Sequence, residues 1–349
     1  MSAPEPAASA EARERLRASV VIPCRNRAAL TVELVEALFA QTLPHSDYEI
    51  VVVDNRSTDD TAQCVAALQE RSPCRLLFHV MPENRGPAHS RNAGVGLARG
   101  EIIAFTDSDC RPRPDWLERG LAPFAAPEVA FVTGSVFDKP EQRGGFFARA
   151  TGALTVEHPT YPTMNAFYRR RFFLEAGGFD ESLCFRDFRD RPNECADTDL
   201  AWRLKEKGLR NVFDRELVIF HEVETQRPIA WVLEPFRLWL VPALVRRHPQ
   251  LRRSLLRARL FFCKENALAC LALLGATAGL AFDRALFLFV LPYGMALPYL
   301  WWAIALHKRP VRSRDLLRFL PETALIAARQ LVMCAGLVYG SLRFRCLVL

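Results

Sequence analysis

A chain of 349 residues, half of them hydrophobic, is long enough to bury a sizeable core, and its formal net charge of +7 suits an anionic partner. No nucleic-acid-binding signature accompanies that charge, so nucleic acid is not expected as a partner. The ten cysteines are scattered with no C-x-x-C pair. That spacing excludes a zinc cluster and favours a reducing compartment over a disulfide framework.

Residues 1–17 are rich in Ala, Pro, Glu and Arg and lack an apolar core, which predicts a flexible leader and no signal peptide. Ala18 to Pro23 predicts a first strand, and residues 28–41 carry helical periodicity through Leu30, Leu34, Ala37 and Leu38. Glu49 to Val53 predicts a second buried strand that stops at Asp54-Asn55. Ser57-Thr58-Asp59-Asp60-Thr61 has the composition of a helix start. A third strand over 75–80, a turn at Asn84 to Pro87 and a helix over 88–98 follow. Glu101 to Phe105 then runs as a fourth strand into Thr106-Asp107-Ser108-Asp109. This β-α-β-α-β-α-β alternation predicts a parallel sheet with crossover helices.

In such sheets, ligands gather at the carboxyl ends of the strands. Here those ends carry Pro23 to Asn26, Asp54, the turn at Asn84, and the pair Asp107 and Asp109. Two carboxylates at i, i+2 suit a hard divalent cation shared with substrate phosphates, although a lone D-x-D serves equally well as a cap or turn. Neither G-x-G-x-x-G nor G-x-x-x-x-G-K-[ST] occurs at these ends. Dinucleotide oxidoreductases and P-loop enzymes therefore lose support.

Four segments occur in order: Val20-Val21-Ile22-Pro23, Val52-Val53-Asp54-Asn55 with Ser57-Thr58-Asp59, Arg85-Gly86-Pro87-Ala88 with Arg91-Asn92-Ala93-Gly94, and Thr106-Asp107-Ser108-Asp109. Together they resemble the donor half of the family 2 glycosyltransferases, which have the GT-A fold. The resemblance implies a nucleotide-diphosphate sugar donor and Mg2+ or Mn2+. It assigns Asp54 to the nucleotide base and places Pro23, Arg25 and Asn26 beside the nucleotide. Arg91 falls at a basic position near the donor. Asp107 and Asp109 match the pair that binds ribose and the metal on the diphosphate.

Beyond residue 110, Trp116 and a short strand at 129–132 precede a Gly/Arg/Pro-rich stretch, 141–160, expected as a loop over the site. Asn165 to Arg170, followed by Gly177-Gly178-Phe179-Asp180-Glu181, resembles the segment that borders the family's acceptor site. Asp197-Thr198-Asp199-Leu200 with Arg203 resembles its E-D-x-D-L-x-x-R element, with Ala196 where the family has Glu. That match makes Asp197 the expected catalytic base and puts Asp199, with Asn165 and Gly178, on the acceptor side. A carboxylate is wanted there because an acceptor hydroxyl is a poor nucleophile until its proton is taken. His221, ending a strand over 218–221, resembles the family's position near the metal. Gln226-Arg227-Pro228 does not match the Q-x-x-R-W of the processive synthases, so transfer of a single sugar is expected.

From Pro228 on, the composition changes. Trp231, Phe236 and Trp239 mix with Arg246, Arg247, Arg252 and Arg253, which suits interfacial helices on an anionic bilayer over 226–260. Residues 266–282, 285–306 and 322–342 are candidate membrane spans, the last interrupted by Arg329 and Gln330. The basic stretch 307–318 is expected to face the cytoplasm.

The expected fold class is α/β: a GT-A type, Rossmann-like, mostly parallel sheet with flanking helices, plus a C-terminal α-helical membrane region. The expected divisions are a leader (1–17), a catalytic domain (18–225, donor half 18–110, acceptor half 111–225), interfacial helices (226–260) and transmembrane helices (261–349). The resulting expectation is a multi-pass cell-membrane enzyme with a cytoplasmic catalytic domain. It would be an inverting transferase moving a sugar to a hydroxyl of a lipid-linked or membrane-associated acceptor, in cell-envelope polysaccharide synthesis. Two alternatives stand beside it: a nucleotidyltransferase, and a non-catalytic membrane scaffold with a degenerate transferase domain.

Overall fold

The structure is a computed structural model that describes residues 16–149, 153–186, 192–308 and 316–349. All of the expected leader but Leu16 and Arg17 lies outside the described residues, as does most of the basic stretch 307–318. The chain divides into two compact units. The first comprises Met1–Lys139, Thr151–Phe185 and Ala196–Glu222; the second comprises Pro140–Ala150, Arg186–Cys195 and Val223–Leu349. Residues 141–160, expected as one loop, are thus shared between the two.

The first unit opens with β1 (Ala18–Cys24), α1 (Ala28–Phe39), β2 (Tyr48–Asp54), α2 (Thr61–Glu70), β3 (Arg75–Val80), α3 (Pro87–Leu97) and β4 (Ile102–Phe105). β1, β2 and β4 are near-continuous apolar runs because a parallel strand buries both faces. They pair parallel in the order β3-β2-β1-β4. The chain steps outward from β1 to β3 and then returns to the other side of β1. With right-handed crossovers, α1 and α2 share one face and α3 takes the other. On the α1 side, Val20, Ile22, Ile50 and Val52 pack with Leu34 and Leu38. The reversal lies between β1 and β4, so their carboxyl ends frame the topological switch point.

The chain continues through β5 (Cys110–Pro112), α4 (Trp116–Leu121), β6 (Val129–Asp138), β7 (Ala148–Arg149), β8 (Ala166–Arg169), α5 (Arg170–Glu175), β9 (Cys184–Arg186), β10 (Pro192–Glu194), α6 (Ala196–Glu206) and β11 (Arg210–His221). The sheet extends past β4 as β8-β6-β11-β5, eight strands in all and mostly parallel. β8 runs antiparallel to both β4 and β6, and β5 antiparallel to β11. β11 begins eight residues before the expected Val218, because the polar stretch from Arg210 also pairs with β6 across a register break between Asp214 and Val218. Phe105, Phe131, Tyr168, Phe173 and Phe179 form one ring cluster beside β4 and β8. Each such buried ring contributes roughly 1.5–3 kcal/mol.

In the second unit, β7 pairs with β12 (Glu224–Thr225), followed by α7 (Pro228–Leu233), α8 (Val241–Arg247), α9 (Leu251–Ser254), α10 (Lys264–Ala281), α11 (Leu291–Lys308) and α12 (Leu316–Phe344). Among the described residues, three segments are helical, long and apolar enough to cross a membrane: Pro228–Arg247, Arg284–Ile304 and Arg318–Phe344. The second and third overlap the expected spans 285–306 and 322–342; α10 is not among the three. Pro228–Arg247 is apolar enough where interfacial helices are expected, because most of the arginines behind that expectation lie at its end or beyond it. α12 packs along this segment at close range: a Cβ at Gly340 would sit 2.0 Å from the Trp239 carbonyl oxygen. Gly336 and Gly340, four residues apart, allow the backbones to approach. Arg329, the charge that interrupts the third span, pairs with Glu234 at 2.7 Å and lies 4.5 Å from the Trp231 ring centroid.

Candidate active site

The carboxyl ends of β1 and β2 form one interlocked turn. Asp54 is 2% exposed and accepts hydrogen bonds from the Ser57 backbone N–H at 3.1 Å and the Ser57 hydroxyl at 2.5 Å. Asn26, held at φ +52°, accepts from the Thr58 N–H at 2.7 Å, and its own N–H donates to Ser57 Oγ at 2.8 Å. Asp59 accepts from the N–H groups of Ala28 and Thr61, joining the starts of α1 and α2. These bonds explain why α2 begins at Thr61 and not at Ser57: Ser57 and Thr58 are engaged by Asp54 and Asn26. Pro23 is half-buried at the end of β1. Arg25 is exposed, and its guanidinium meets no hydrogen-bond acceptor among the described residues, so it is available to an anion.

Asp107 and Asp109 follow β4 at the switch point. Arg91, 5% exposed on α3, donates to Asp107 Oδ1 at 2.6 Å. It is therefore not the solvated helix-face arginine that its isolation in the sequence would imply. Arg27 pairs with Asp109. β5 lies antiparallel to the end of β11 with Cys110 opposite His221, and this register brings His221 Nε2 to 3.6 Å from Asp109 Oδ2. The Nδ1 atom of His221 is 2.7 Å from the Glu222 carbonyl oxygen, which can only accept, so Nδ1 donates to it and Nε2 is the nitrogen that faces Asp109. Metal-ligating imidazoles are oriented in this way. Ligand atoms of Asp109, Cys110 and His221 lie within 4.8 Å of one another. Burial, and then Asp107 and Asp109, push the Cys110 thiol well above its usual range. Asp109 offers a carboxylate oxygen and His221 an imidazole nitrogen; with the oxygens of Asp107 and a diphosphate beside them, such a set fits Mn2+, and its oxygens alone fit Mg2+.

Of the residues expected on the acceptor side, Asp197 is half-buried in the first turn of α6, where an acid complements the helix dipole. The Thr198 N–H donates to its Oδ1 at 2.7 Å. Burial, and then the charge of Asp197, push up the hydroxyl of Tyr168 on β8, the strand beside β4. Ala196, where the family pattern has Glu, is buried. Asp199 is fully buried and accepts from Arg203 Nε at 2.7 Å. Arg203 in turn donates to the carbonyls of Ala176 and Gly178. Asp199 thus acts through Arg203, fixing the turn in which Gly178 sits at φ +69° with its Cβ position only 2.8 Å from Asn92 Oδ1. Asn165 is 1% exposed and fully engaged: it accepts from Trp116 Nε1 and donates to the carbonyls of Ser135 and Leu217. Its amide joins β6 and β11 and does not face the crevice.

Two groups at this edge escaped the sequence reading. Arg27 is the partner of Asp109, and Lys139, 2% exposed, lies between Glu33 at 2.6 Å and Glu222 at 2.9 Å. Both pairings span eighty residues or more, so no local pattern announces them.

With this geometry in view, the family model for glycosyl transferase family 2 matches residues 19–194, half of the chain. The chain belongs to glycosyltransferase family 2. It is 33% identical over 174 residues to glycosyltransferase AglE of Haloferax volcanii, covering 47% of this chain and 56% of that one. It is 29% identical over 226 residues to the pre-mycofactocin glycosyltransferase of Mycobacterium tuberculosis, covering 60% and 43%. The chain therefore spans about half the length of these curated relatives. Among solved structures, the mannosyltransferase PcManGT from Pyrobaculum calidifontis in complex with GDP-Man and Mn2+ superposes with a TM-score of 0.55 at 22% identity, over 95% of this chain and 87% of that one. S. aureus TarS 1-349 in complex with UDP-GlcNAc gives 0.50 at 16% identity, over 94% and 92%. These likenesses establish the GT-A fold for this family 2 glycosyltransferase.

Proposed function

We propose that this family 2 glycosyltransferase moves a single sugar from a nucleotide-diphosphate donor to a hydroxyl of a membrane-associated or lipid-linked acceptor, with inversion at the sugar carbon. The observation that carries the reading is the gathering of Asp54, Asp107, Asp109 and His221 at the carboxyl edge of one sheet. Asp54, Asn26 and Pro23 hold the nucleoside. Arg25 and Arg91 face the diphosphate, and Arg27 is placed to pass from Asp109 to the phosphates. Asp109 and His221, with Asp107, hold Mg2+ or Mn2+. A divalent ion held there offsets the charge that develops on the leaving diphosphate. Asp197 takes the proton of the acceptor hydroxyl, and single displacement then inverts the configuration. Asp199, Gly178 and Asn165 shape the acceptor side, Asp199 and Asn165 by positioning. Residues 18–225 form the catalytic part, and the helices after residue 225 hold it at the cytoplasmic face of the cell membrane. The GDP-Man and Mn2+ of PcManGT and the UDP-GlcNAc of TarS support a nucleotide-sugar donor in a fold of this kind.

A thermal-shift screen of nucleotide sugars, with and without Mn2+, tests the reading. A bound ligand stabilises by mass action, about 2.7 kcal/mol at a hundredfold excess over its Kd. One nucleotide sugar is expected to raise Tm, and to do so more in Mn2+. Stabilisation by none of them would overturn the donor assignment, and stabilisation equal in EDTA would overturn the metal assignment.

A further inference from the structure

At the opposite edge of the same sheet, a cavity of about 410 Å³ opens beside the start of β4 and the end of β8. Five arginines line it: Arg17, Arg99, Arg169, Arg170 and Arg171. Glu101 is the one carboxylate in the lining, and it is engaged by Arg169 at 2.6 Å. Arg169 is buried and also donates to the carbonyls of Phe124, Ala126 and Val129, so its role is structural. Arg17 pairs with Asp47 at 3.3 Å, and Arg171 donates to the Pro127 carbonyl at 3.0 Å, both near the surface. Arg99 and Arg170 differ. Arg99 is exposed and Arg170 half-buried, but neither guanidinium meets a carboxylate or another acceptor among the described residues, and Arg170 Nε is buried without a hydrogen-bond partner. A buried guanidinium N–H without an acceptor is costly, and clustering like charges adds to that cost unless an anion is present.

We propose that this cavity is a second binding site, separate from the donor crevice, for a phosphorylated small molecule. Guanidinium forks match phosphate oxygens in bidentate geometry, and Arg99 and Arg170 hold unused forks on one cavity. The lining contains no aromatic ring on which a nucleoside base could stack. Leu16 and Leu174 supply the apolar wall, which fits an aliphatic remainder. β4 and β8 run antiparallel with Ile102 opposite Arg169 and Phe105 opposite Ala166, which puts the cavity and the Asp107–Asp109 edge at opposite ends of these two strands. The inference rests on this cavity alone and stands whether or not the chain transfers a sugar.

The test uses the full chain carrying Asp109→Asn, in EDTA, so that metal-assisted diphosphate binding in the crevice is suppressed. Inorganic pyrophosphate is titrated by calorimetry, with backbone hydrogen exchange followed in parallel. Saturable binding is expected, with slowed exchange at residues 99–101 and 169–171. Adding Arg99→Ser and Arg170→Ser is expected to weaken binding at least about tenfold, since each fork removes charge-assisted bonds. Unchanged affinity in the folded triple variant would overturn the site, as would exchange slowed at 23–27 and 107–109 with none at 99–101 or 169–171. If the triple variant fails to fold, the exchange map of the Asp109→Asn protein decides alone. Dihexanoyl phosphatidate and glucose 1-phosphate distinguish the sources: tighter binding of the first assigns a lipid headgroup, and tighter binding of the second a free sugar phosphate.

Discussion

The two units treat apolar surface in opposite ways. In the first, Ile22, Val52, Phe105 and Phe167 are fully buried, and charged groups gather at the strand ends. In the second, Leu280, Phe282 and Met295 stand 78–88% exposed, whereas Asn266 and Glu322 are buried. The first unit obeys the ordinary partition of a protein in water. The second joins its helices through a polar bond, Trp301 Nε1 to Glu322 at 2.8 Å, through the Arg329–Glu234 pair, and through small residues at close crossings. Apolar surface of that extent needs a bilayer or another apolar partner. The whole-chain composition therefore averages over two regions that bury apolar surface differently.

The sharpest ways to separate the two begin with the largest effect. Asp109→Asn removes the proposed metal ligand and the partner of Arg27 while leaving the apolar core intact. Sugar transfer measured with radiolabelled donor is expected to fall about 10²–10³-fold, with Tm nearly unchanged. An equal fall in Tm would show that this edge is structural. Gly340→Leu attacks the second unit by forcing a side chain against the Trp239 carbonyl. A cost of about 3 kcal/mol or more is expected, read as earlier unfolding in detergent by tryptophan fluorescence. A wild-type melting curve would contradict the close helix crossing.

Asn165→Ala tests the first unit from within. It leaves the Trp116 N–H and the Ser135 and Leu217 carbonyls without their partner. A loss of about 2–3 kcal/mol in urea unfolding is expected. A fall in transfer with full stability would instead put the amide in the acceptor site. The smallest effect concerns pH. Burial alone would raise the Glu181 carboxyl, but hydrogen bonds from Asn92 and His89 and the charge of Arg85 outweigh it and hold it below the usual value. A lowered carboxyl contributes stability above its unfolded pKa and loses it as pH falls through the folded one. Glu181→Gln is accordingly expected to lower stability at neutral pH, flatten the acid limb of the stability–pH curve below about pH 4.5, and converge with the unsubstituted protein at low pH. An unchanged acid limb would show that these bonds contribute nothing.

The legible parts of this chain are the local ones. β1, β2 and β4 are apolar runs bounded by polar stops, and each intervening helix carries its own periodicity, so the donor half can be read residue by residue. β8 and β5 could not be read as strands because they are only four and three residues long and exist through non-local antiparallel pairing. The first half of β11 was hidden for a related reason: its residues are polar, and a long partner strand rather than burial holds them. At the site, Asp107 and Asp109 were visible as a pair, but Arg27 and Arg91 as their partners were not. The interior role of Asn165 was equally hidden, since a buried amide and an exposed one have the same letter.

The central claim is a division of labour: the acids after β4 hold the donor, and Asp197 takes the acceptor proton. It is tested most directly by Asp197→Asn, with donor affinity and single-turnover transfer measured on the same protein once the donor is known. The account predicts an unchanged donor Kd and transfer slower by about 10²–10⁴-fold, the usual worth of a positioned general base. Transfer at the wild-type rate with intact donor binding would contradict it.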